Sequence, residues 1–242
     1  MSNFTAPIFD SLIRRGRSLL GRAAQLLPQH CALCGRPCAD ALVCEACDRA
    51  LPRLGPVCPR CALPIPGGAV CGRCLARPPP WDAARAAFLY AYPLDQLLQA
   101  MKYRGVFGYA DFLAGSLART IVDIPDAVIA LPLAPARQRE RGFNQSQELA
   151  RRIARIVGTQ VVAGLVRVRD SPAQAALPWR ERRRNVRNAF AALPAVAGLR
   201  VAVVDDVLTT GATLTAATQA LRRAGARGVA VWVVARTLPP SS

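Results

Sequence analysis

The chain has 242 residues and 52% of them are apolar, so it can build a folded core and wholesale disorder is excluded. Its 32 basic side chains outnumber 15 acidic ones, giving a formal net charge of +17. Such a surplus favours anionic partners, with nucleic acid and phosphorylated small molecules first. Only one basic residue is lysine, so a general arginine bias that leaves a solvated basic surface is the alternative explanation.

Apolar runs are short throughout the chain. None approaches the roughly 20 residues that a membrane-spanning helix needs. Arginines at positions 14, 15, 17 and 22 interrupt the apolar residues near the N-terminus, which is untypical of a signal peptide. We therefore expect no membrane insertion and a cytoplasmic location.

Composition divides the chain into four segments. Residues 1–29 have apolar side chains at helical spacing and predict an amphipathic helical lead-in. Residues 30–76 contain all nine cysteines, and residues 77–82 form a proline-rich linker. Residues 83–238 alternate strand-like apolar runs with helical patterns.

That alternation predicts an α/β fold with a parallel sheet flanked by helices. The predicted strands lie near residues 86–92, 127–131, 160–168, 200–204 and 229–235. The predicted helices lie near residues 94–102, 109–122, 144–157 and 213–224. Ligands of such sheets bind at the carboxyl ends of the strands, so the chemistry is expected in the loops that follow them.

Four CxxC pairs occupy the cysteine segment. They are Cys31 and Cys34, Cys44 and Cys47, Cys58 and Cys61, and Cys71 and Cys74. The second half repeats the spacing of the first at an offset of 27 residues, which indicates an internal duplication. Each half supplies four sulfurs, the number that a closed tetrahedral Zn²⁺ site requires, so we predict two structural zinc ions in a double zinc ribbon. Disulfides and redox-active CxxC pairs are the alternatives.

Two residues of this segment fall outside the repeat. Cys38 is expected to be a free thiol. His30 precedes Cys31, but four cysteines already complete each set, so we assign it no ligand role. Because His30 is the only histidine, a histidine-based hydrolase is excluded.

A phosphate-binding turn is predicted after the apolar strand 201–204. Asp205 and Asp206 end the strand, and a hydroxyl-rich turn at 209–213 opens a helix. Backbone N–H groups at a helix N-terminus bind phosphate, and paired carboxylates accept hydrogen bonds from the cis-diol of a ribose. The Walker pattern and its lysine are absent. An ordinary helix with an acidic N-cap is the alternative.

This stretch resembles the phosphoribosyl pyrophosphate (PRPP) signature of type I phosphoribosyltransferases. Residues 26–236 as a whole resemble the ComF family of competence-associated proteins, which join a cysteine-rich zinc module to such a domain. Other matching stretches are 102–105, 139–145 and 174–190.

The resemblance implies roles for the residues of the turn. Asp205 and Asp206 would bind the 2′- and 3′-hydroxyls of the ribose. The 5-phosphate would be held by Thr209, Thr210, Gly211, Ala212 and Thr213. Mg²⁺ would bridge the diphosphate and the diol.

Three basic residues outside the turn receive roles as well. Residues 132–137 lie where a pyrophosphate loop belongs, and Arg139 and Arg141 would neutralise the pyrophosphate. Lys102 would add charge there, although a solvated helix end explains it equally well. The arginine-rich segment 170–188 resembles the mobile loop of the superfamily, and either a lid or a track for a nucleic-acid backbone fits it.

Two functions of different class follow. As an enzyme, the chain would transfer a phosphoribosyl group from PRPP to an unidentified acceptor and release pyrophosphate. As a binding module, it would hold a nucleotide phosphate or single-stranded DNA beside a competence helicase, without turnover. The family implies a part in DNA uptake during natural transformation under either function.

Overall fold

The structure is a computed structural model, and it describes residues 30–38, 41–104, 107–168 and 189–239. The chain divides into two compact units, residues 1–50 and 51–242. The division falls inside the predicted cysteine segment, so the second set of four cysteines belongs to the same unit as the sheet. The predicted lead-in helix and the segment 170–188 lie outside the described residues. No helix in the described part is long and apolar enough to cross a membrane.

The first unit contains a tight turn at Cys31 and Cys34 and helix α1, Glu45–Ala50. Residues His30 and Pro37 form an antiparallel bridge around the turn. The N–H of Gly35 donates to the carbonyl of Cys31 at 2.9 Å, and Gly35 has a left-handed φ of +70°.

The second unit repeats this backbone at the predicted offset. Val57 and Pro64 form the equivalent bridge, and helix α2, Gly72–Ala76, is the counterpart of α1. Ala62 stands where the first unit has Gly35, with its N–H 2.8 Å from the carbonyl of Cys58. Its φ of +55° is left-handed, a conformation that few residues other than glycine adopt.

A five-stranded parallel sheet forms the core of the second unit. Its strands are β1 Ala83–Leu89, β2 Ala127–Ala130, β3 Gln160–Val161, β6 Arg200–Leu208 and β7 Gly228–Arg236. They lie side by side in the order β1–β7–β6–β2–β3. Residues 201–204 and 231–235 are buried, as expected for central strands covered on both faces. A separate antiparallel pair is formed by β4, Leu165–Arg167, and β5, Phe190–Ala192.

Five longer helices accompany the strands in the described part of this unit. They are α3 Leu94–Arg104, α4 Phe107–Ala118, α5 Pro135–Arg141, α6 Gln145–Val157 and α7 Ala212–Arg223. Helices α4 and α6 pack on each other, and α6 also packs on β2 and β6. Helix α7 packs on β5 and on the sheet. The predicted fold class, a parallel sheet flanked by helices, is confirmed.

Two strand predictions are corrected by the structure. The strand predicted at 86–92 lies at 83–89, because its pairing with β7 begins at Ala83 opposite Ala230. The strand predicted at 160–168 is two short strands in different sheets. Gly164 lies at the break, where a Cβ atom would be only 2.5 Å from Cδ1 of Ile129. This close approach of the backbone to the core is open only to glycine.

Candidate functional site

The acidic pair lies where β6 loses one neighbour. Pairing with β2 ends at Ala130 opposite Val204, whereas pairing with β7 continues to Leu208 opposite Arg236. Asp205 and Asp206 are therefore inside β6, which continues to Leu208, four residues beyond the predicted strand 200–204. Among the described residues, β6 therefore has no strand paired on that side beyond Val204, at the carboxyl end of the sheet, which is the usual position of ligand sites in this architecture.

Helix α6 supplies a hydrogen bond to the first acid. Asn144 caps α6 by accepting from the N–H of Ser146 at 3.0 Å and donates its amide to the carbonyl of Leu131 at 3.0 Å. The Ser146 hydroxyl then donates to Oδ1 of Asp205 at 3.0 Å, and the N–H of Asp206 donates to the same oxygen at 2.9 Å. The cap of the helix thus fixes the orientation of the Asp205 carboxyl.

The pKa of Asp205 lies well above that of an ordinary aspartate. Burial and the nearby charge of Asp206 raise its pKa to about 7, although the N–H of Asp206, Ser146 and Lys102 act in the opposite direction. A carboxyl with this pKa changes its charge in the physiological range. Such a shift is common at functional sites.

Lys102 lies against the second acid. Its Nζ is 2.5 Å from Oδ2 of Asp206, and the side chain is only 21% exposed. Burial lowers the pKa of Lys102, but the attraction of Asp206 outweighs it, so the pKa is raised. Lys102 therefore lies beside the acidic pair, and its predicted role at the pyrophosphate stays a prediction.

The hydroxyl-rich turn forms a pocket together with Asp205. The residues that line it are Asp205, Val207, Leu208, Thr209, Gly211, Ala212, Thr213 and Leu214. Gly211 precedes α7 with a left-handed φ of +79°. The first N–H groups of a helix have no intrahelical acceptor and carry partial positive charge, so this pocket suits an anion.

Thr210 is the one residue of the predicted phosphate turn that does not line this pocket. Its hydroxyl accepts from the N–H of Ala212 at 3.3 Å, and it lines a neighbouring groove. Its position indicates that it shapes the turn.

The region after β2 differs from the predicted loop. Residues 132–137 were expected to be a loop, but 135–137 are the first turn of α5. Pro135 suits the first position of a helix, and Gly142 ends the helix with a φ of +72°. Arg139 and Arg141 are therefore on α5 and neither lines the pocket of the phosphate turn. Arg139 is exposed and Arg141 is half-buried.

The eight predicted metal ligands form two clusters of four. In each cluster the sulfur atoms all lie within 4.8 Å of one another. The Sγ atoms of Cys34 and Cys44 are 3.8 Å apart, and those of Cys61 and Cys71 are 3.7 Å apart. Tetrahedral zinc with bonds of about 2.3 Å would separate its sulfurs by about 3.8 Å. All nine cysteines, which lie in the described part of the chain, are free of disulfides.

Backbone N–H donors lower the pKa of the first cysteine of each cluster, Cys31 and Cys58. Burial raises the pKa of Cys31, but N–H donors, that of Cys44 first, lower it to about 6. Cys58 is affected in the same way by the N–H of Cys71, and its pKa is lowered to about 7. The thiolate is the form that binds metal, so these donors favour binding. Four sulfur ligands leave no open position, which is typical of structural zinc.

Comparison with known proteins gives two family matches and several relatives. Residues 23–75 match the double zinc ribbon domain, and residues 112–238 match the phosphoribosyl transferase domain. The DNA utilization protein YhgH of Salmonella typhimurium is 36% identical over 224 residues, covering 88% of this chain and 99% of that protein. Competence protein F of Haemophilus influenzae is 32% identical over 207 residues, covering 80% of this chain and 90% of that protein. The chain belongs to the ComF family.

A solved structure with a similar domain is the glutamine PRPP amidotransferase from B. subtilis complexed with ADP and GMP. It is 27% identical with a TM-score of 0.37. The match covers 50% of the ComF-family chain and 25% of that enzyme.

Three side chains of this ComF-family chain were missed by reasoning from the sequence. Ser146 was missed because its contact with Asp205 joins residues 59 positions apart. Trp81 was placed in the linker, yet it is buried in the core. Arg236 ends the apolar strand β7 and is itself buried. A lone arginine directly after such a run was the available signal.

Proposed function

We propose that the chain binds PRPP, or a closely related phosphoribosyl ligand, at the carboxyl end of β6. The observation that carries this proposal is that Asp205 and the N-terminus of α7 line one pocket. Groups that recognise a sugar diol and groups that recognise a phosphate are thus side by side. The matched phosphoribosyl transferase domain supports the same ligand class.

The ligand would lie with its 5-phosphate on the turn and its ribose on the acids. Thr209, Gly211, Ala212 and Thr213 line the phosphate end. The N–H groups of the first turn of α7 would donate to the phosphate oxygens. Asp205 and Asp206 would accept from the ribose hydroxyls.

The pyrophosphate would extend toward α5. Helix α5 follows β2, the parallel neighbour of β6, and the carboxyl ends of parallel strands meet at one edge of a sheet. Arg139 and Arg141 on this helix would neutralise the pyrophosphate. Lys102 at Asp206 adds a third positive charge.

Magnesium fits this site as a partner of the ligand rather than as a resident ion. The chain offers two adjacent carboxylates there, and Mg²⁺ prefers oxygen ligands and commonly binds through one or two carboxylates together with substrate phosphates. Bound with PRPP, it would neutralise the charge of the departing pyrophosphate. In the protein itself, Lys102 neutralises the charge of Asp206 through an ion pair.

A phosphoribosyl transfer would be the reaction of such a complex. A nucleophile would bond to C1 of the ribose while the C1–O bond breaks and pyrophosphate leaves with the electron pair. The protein would contribute positioning and charge stabilisation.

The biological setting that we propose is DNA use and uptake. The relatives carry the names DNA utilization protein and competence protein, and the similarity covers most of the chain. The net charge of +17 suits a chain that works close to nucleic acid.

Calorimetry with PRPP tests the binding proposal. The wild-type chain is titrated with PRPP in the presence and absence of Mg²⁺, beside Asp205→Asn/Asp206→Asn and the exposed control Asp123→Asn, which lies near Arg200 at the amino end of β6. We expect Mg²⁺-dependent binding that the double variant loses and the control retains. Release of pyrophosphate on adding candidate acceptors would then establish turnover. Equal heats from wild type and double variant would contradict the proposal.

A second candidate is a non-catalytic adaptor that binds single-stranded DNA and works with a competence helicase. The observation that favours it is the large excess of arginine over acidic residues. Its affinity for a single strand would fall steeply with salt and would be unaffected by Asp205→Asn/Asp206→Asn. Measuring DNA affinity at several salt concentrations for both chains separates the two candidates.

A further inference from the structure

We propose that the second four-cysteine cluster holds the phosphate turn in its binding shape through two buried side chains, Arg236 and Trp81. Zinc in that cluster would then set the affinity for the ligand phosphate. The inference rests on the proposed function, since it concerns the same pocket. It gives the zinc ribbon a role in ligand binding besides folding.

Arg236 is the first connection. It is 5% exposed, and its Nε donates to the carbonyl of the metal ligand Cys61 at 3.0 Å. One terminal nitrogen donates to the carbonyls of Leu208 at 2.6 Å and Thr209 at 2.5 Å. Leu208 ends β6 and Thr209 begins the phosphate turn. One rigid guanidinium thus joins the metal cluster to the start of the turn.

Trp81 is the second connection, and it contacts the middle of the turn. Its indole N–H donates to the carbonyl of Arg60 at 2.7 Å, and Arg60 donates back to the carbonyl of Trp81 at 3.3 Å. Arg60 lies between the ligands Cys58 and Cys61. The indole ring packs against Gly211, where a Cβ atom would be 3.0 Å from Cη2 of the ring. The two connections therefore reach the turn at its start and at its centre.

The backbone that these side chains hold depends on the metal. The carbonyls of Arg60 and Cys61 belong to the turn that continues into Ala62, whose left-handed φ is strained in a residue with a Cβ atom. The first unit has Gly35 at this position and bears no such strain. We expect the turn of the second cluster to relax when its metal is lost. Both carbonyls, and with them Arg236 and Trp81, would then move.

The groove beside the turn is consistent with this coupling. Cys61, Cys74, Trp81, Gly211 and Arg236 all line it. The metal cluster and the phosphate turn therefore face one continuous surface.

The duplication of the cysteines supplies the matched test. Cys74→Ser removes a ligand of the second cluster, and Cys47→Ser removes the equivalent ligand of the first, 27 positions earlier. Full-length zinc-loaded chains are titrated with ribose 5-phosphate by calorimetry, and their zinc content is measured. We expect at least tenfold weaker binding for Cys74→Ser and a change below twofold for Cys47→Ser, each with one zinc lost.

Two further variants keep the test decisive if Cys74→Ser does not fold. Trp81→Phe keeps an aromatic ring but removes the hydrogen bond to the Arg60 carbonyl. Arg236→Lys keeps the positive charge but removes the planar guanidinium that donates to the three carbonyls. Each should bind two zinc ions and still weaken ribose 5-phosphate binding severalfold. The indole N–H resonance of Trp81, assigned by its loss in Trp81→Phe, should shift in Cys74→Ser and stay in place in Cys47→Ser.

The outcomes separate the two proposals. A wild-type chain that binds no ribose 5-phosphate overturns the proposed function. Wild-type binding that Cys74→Ser, Trp81→Phe and Arg236→Lys all retain overturns the coupling alone.

Discussion

The substitution Asp205→Asn tests the electrostatics of the pocket. The pKa of this carboxyl is raised from 3.8 to about 7 in the folded chain, so the folded state binds the proton more tightly than the unfolded state. The stability from the protonated form is fully present below pH 4 and is lost as the pH rises through 7. At about 1.4 kcal/mol per pKa unit, the wild type loses about 3 kcal/mol between pH 5 and pH 8 from this group. The asparagine variant has no such loss.

Urea denaturation of both chains at pH 5 and pH 8 measures this effect. Relative to wild type, Asp205→Asn should gain about 3 kcal/mol in free energy of unfolding from pH 5 to pH 8. That gain corresponds to a rise in Tm of about 6–12 °C for a unit of this size. Because zinc loss at low pH affects both chains, the difference between them removes it. The exposed control Glu140→Gln should change by less than about 0.5 kcal/mol. A gain for Asp205→Asn that is the same at both pH values would refute a buried, titrating carboxyl.

Two more predictions concern the neighbours of this carboxyl and the phosphate turn. Lys102→Met removes a charge that lowers the pKa of Asp205, so the midpoint of the Asp205 titration, followed by carboxyl ¹³C NMR, should move to higher pH; an unchanged midpoint would show that the lysine does not act on the pair. Gly211→Ala adds a Cβ atom 3.0 Å from the Trp81 ring at a φ of +79°, whereas Gly158→Ala at a φ of +75° meets nothing within 4 Å. In denaturation experiments Gly211→Ala should therefore be the more destabilising by about 1 kcal/mol or more, and equal losses would place the whole cost in the backbone.

Much of the fold was predictable because its signals are local. The CxxC spacing fixes the metal clusters, since two residues between ligands place both sulfurs on one ion. Buried parallel strands are runs of apolar residues, which is why 200–204 and 229–235 were found. The end of β6 was missed because Asp205 and Asp206 are polar, and only the continued pairing with β7 keeps them in the strand. A sequence does not reveal how far a neighbouring strand extends.

The functional site, like the fold, was predictable where its signals are local in the sequence. Asp205, Asp206 and the phosphate turn lie close together in the sequence and have a recognisable pattern. The contacts of Lys102 and Arg236 depend on which distant elements the fold brings together, and their residue types alone fit solvated side chains as well. The helical start of α5 was missed because a proline after an apolar strand suits a loop as readily as the first turn of a helix.

The most direct test of the central claim is a crystal structure of the zinc-loaded chain with ribose 5-phosphate. We expect the phosphoryl group within hydrogen-bonding distance of the N–H groups at the start of α7 and the ribose hydroxyls on Asp205 and Asp206. A ligand bound elsewhere, with Asp205 still bonded to Ser146 and Asp206 to Lys102, would contradict this expectation.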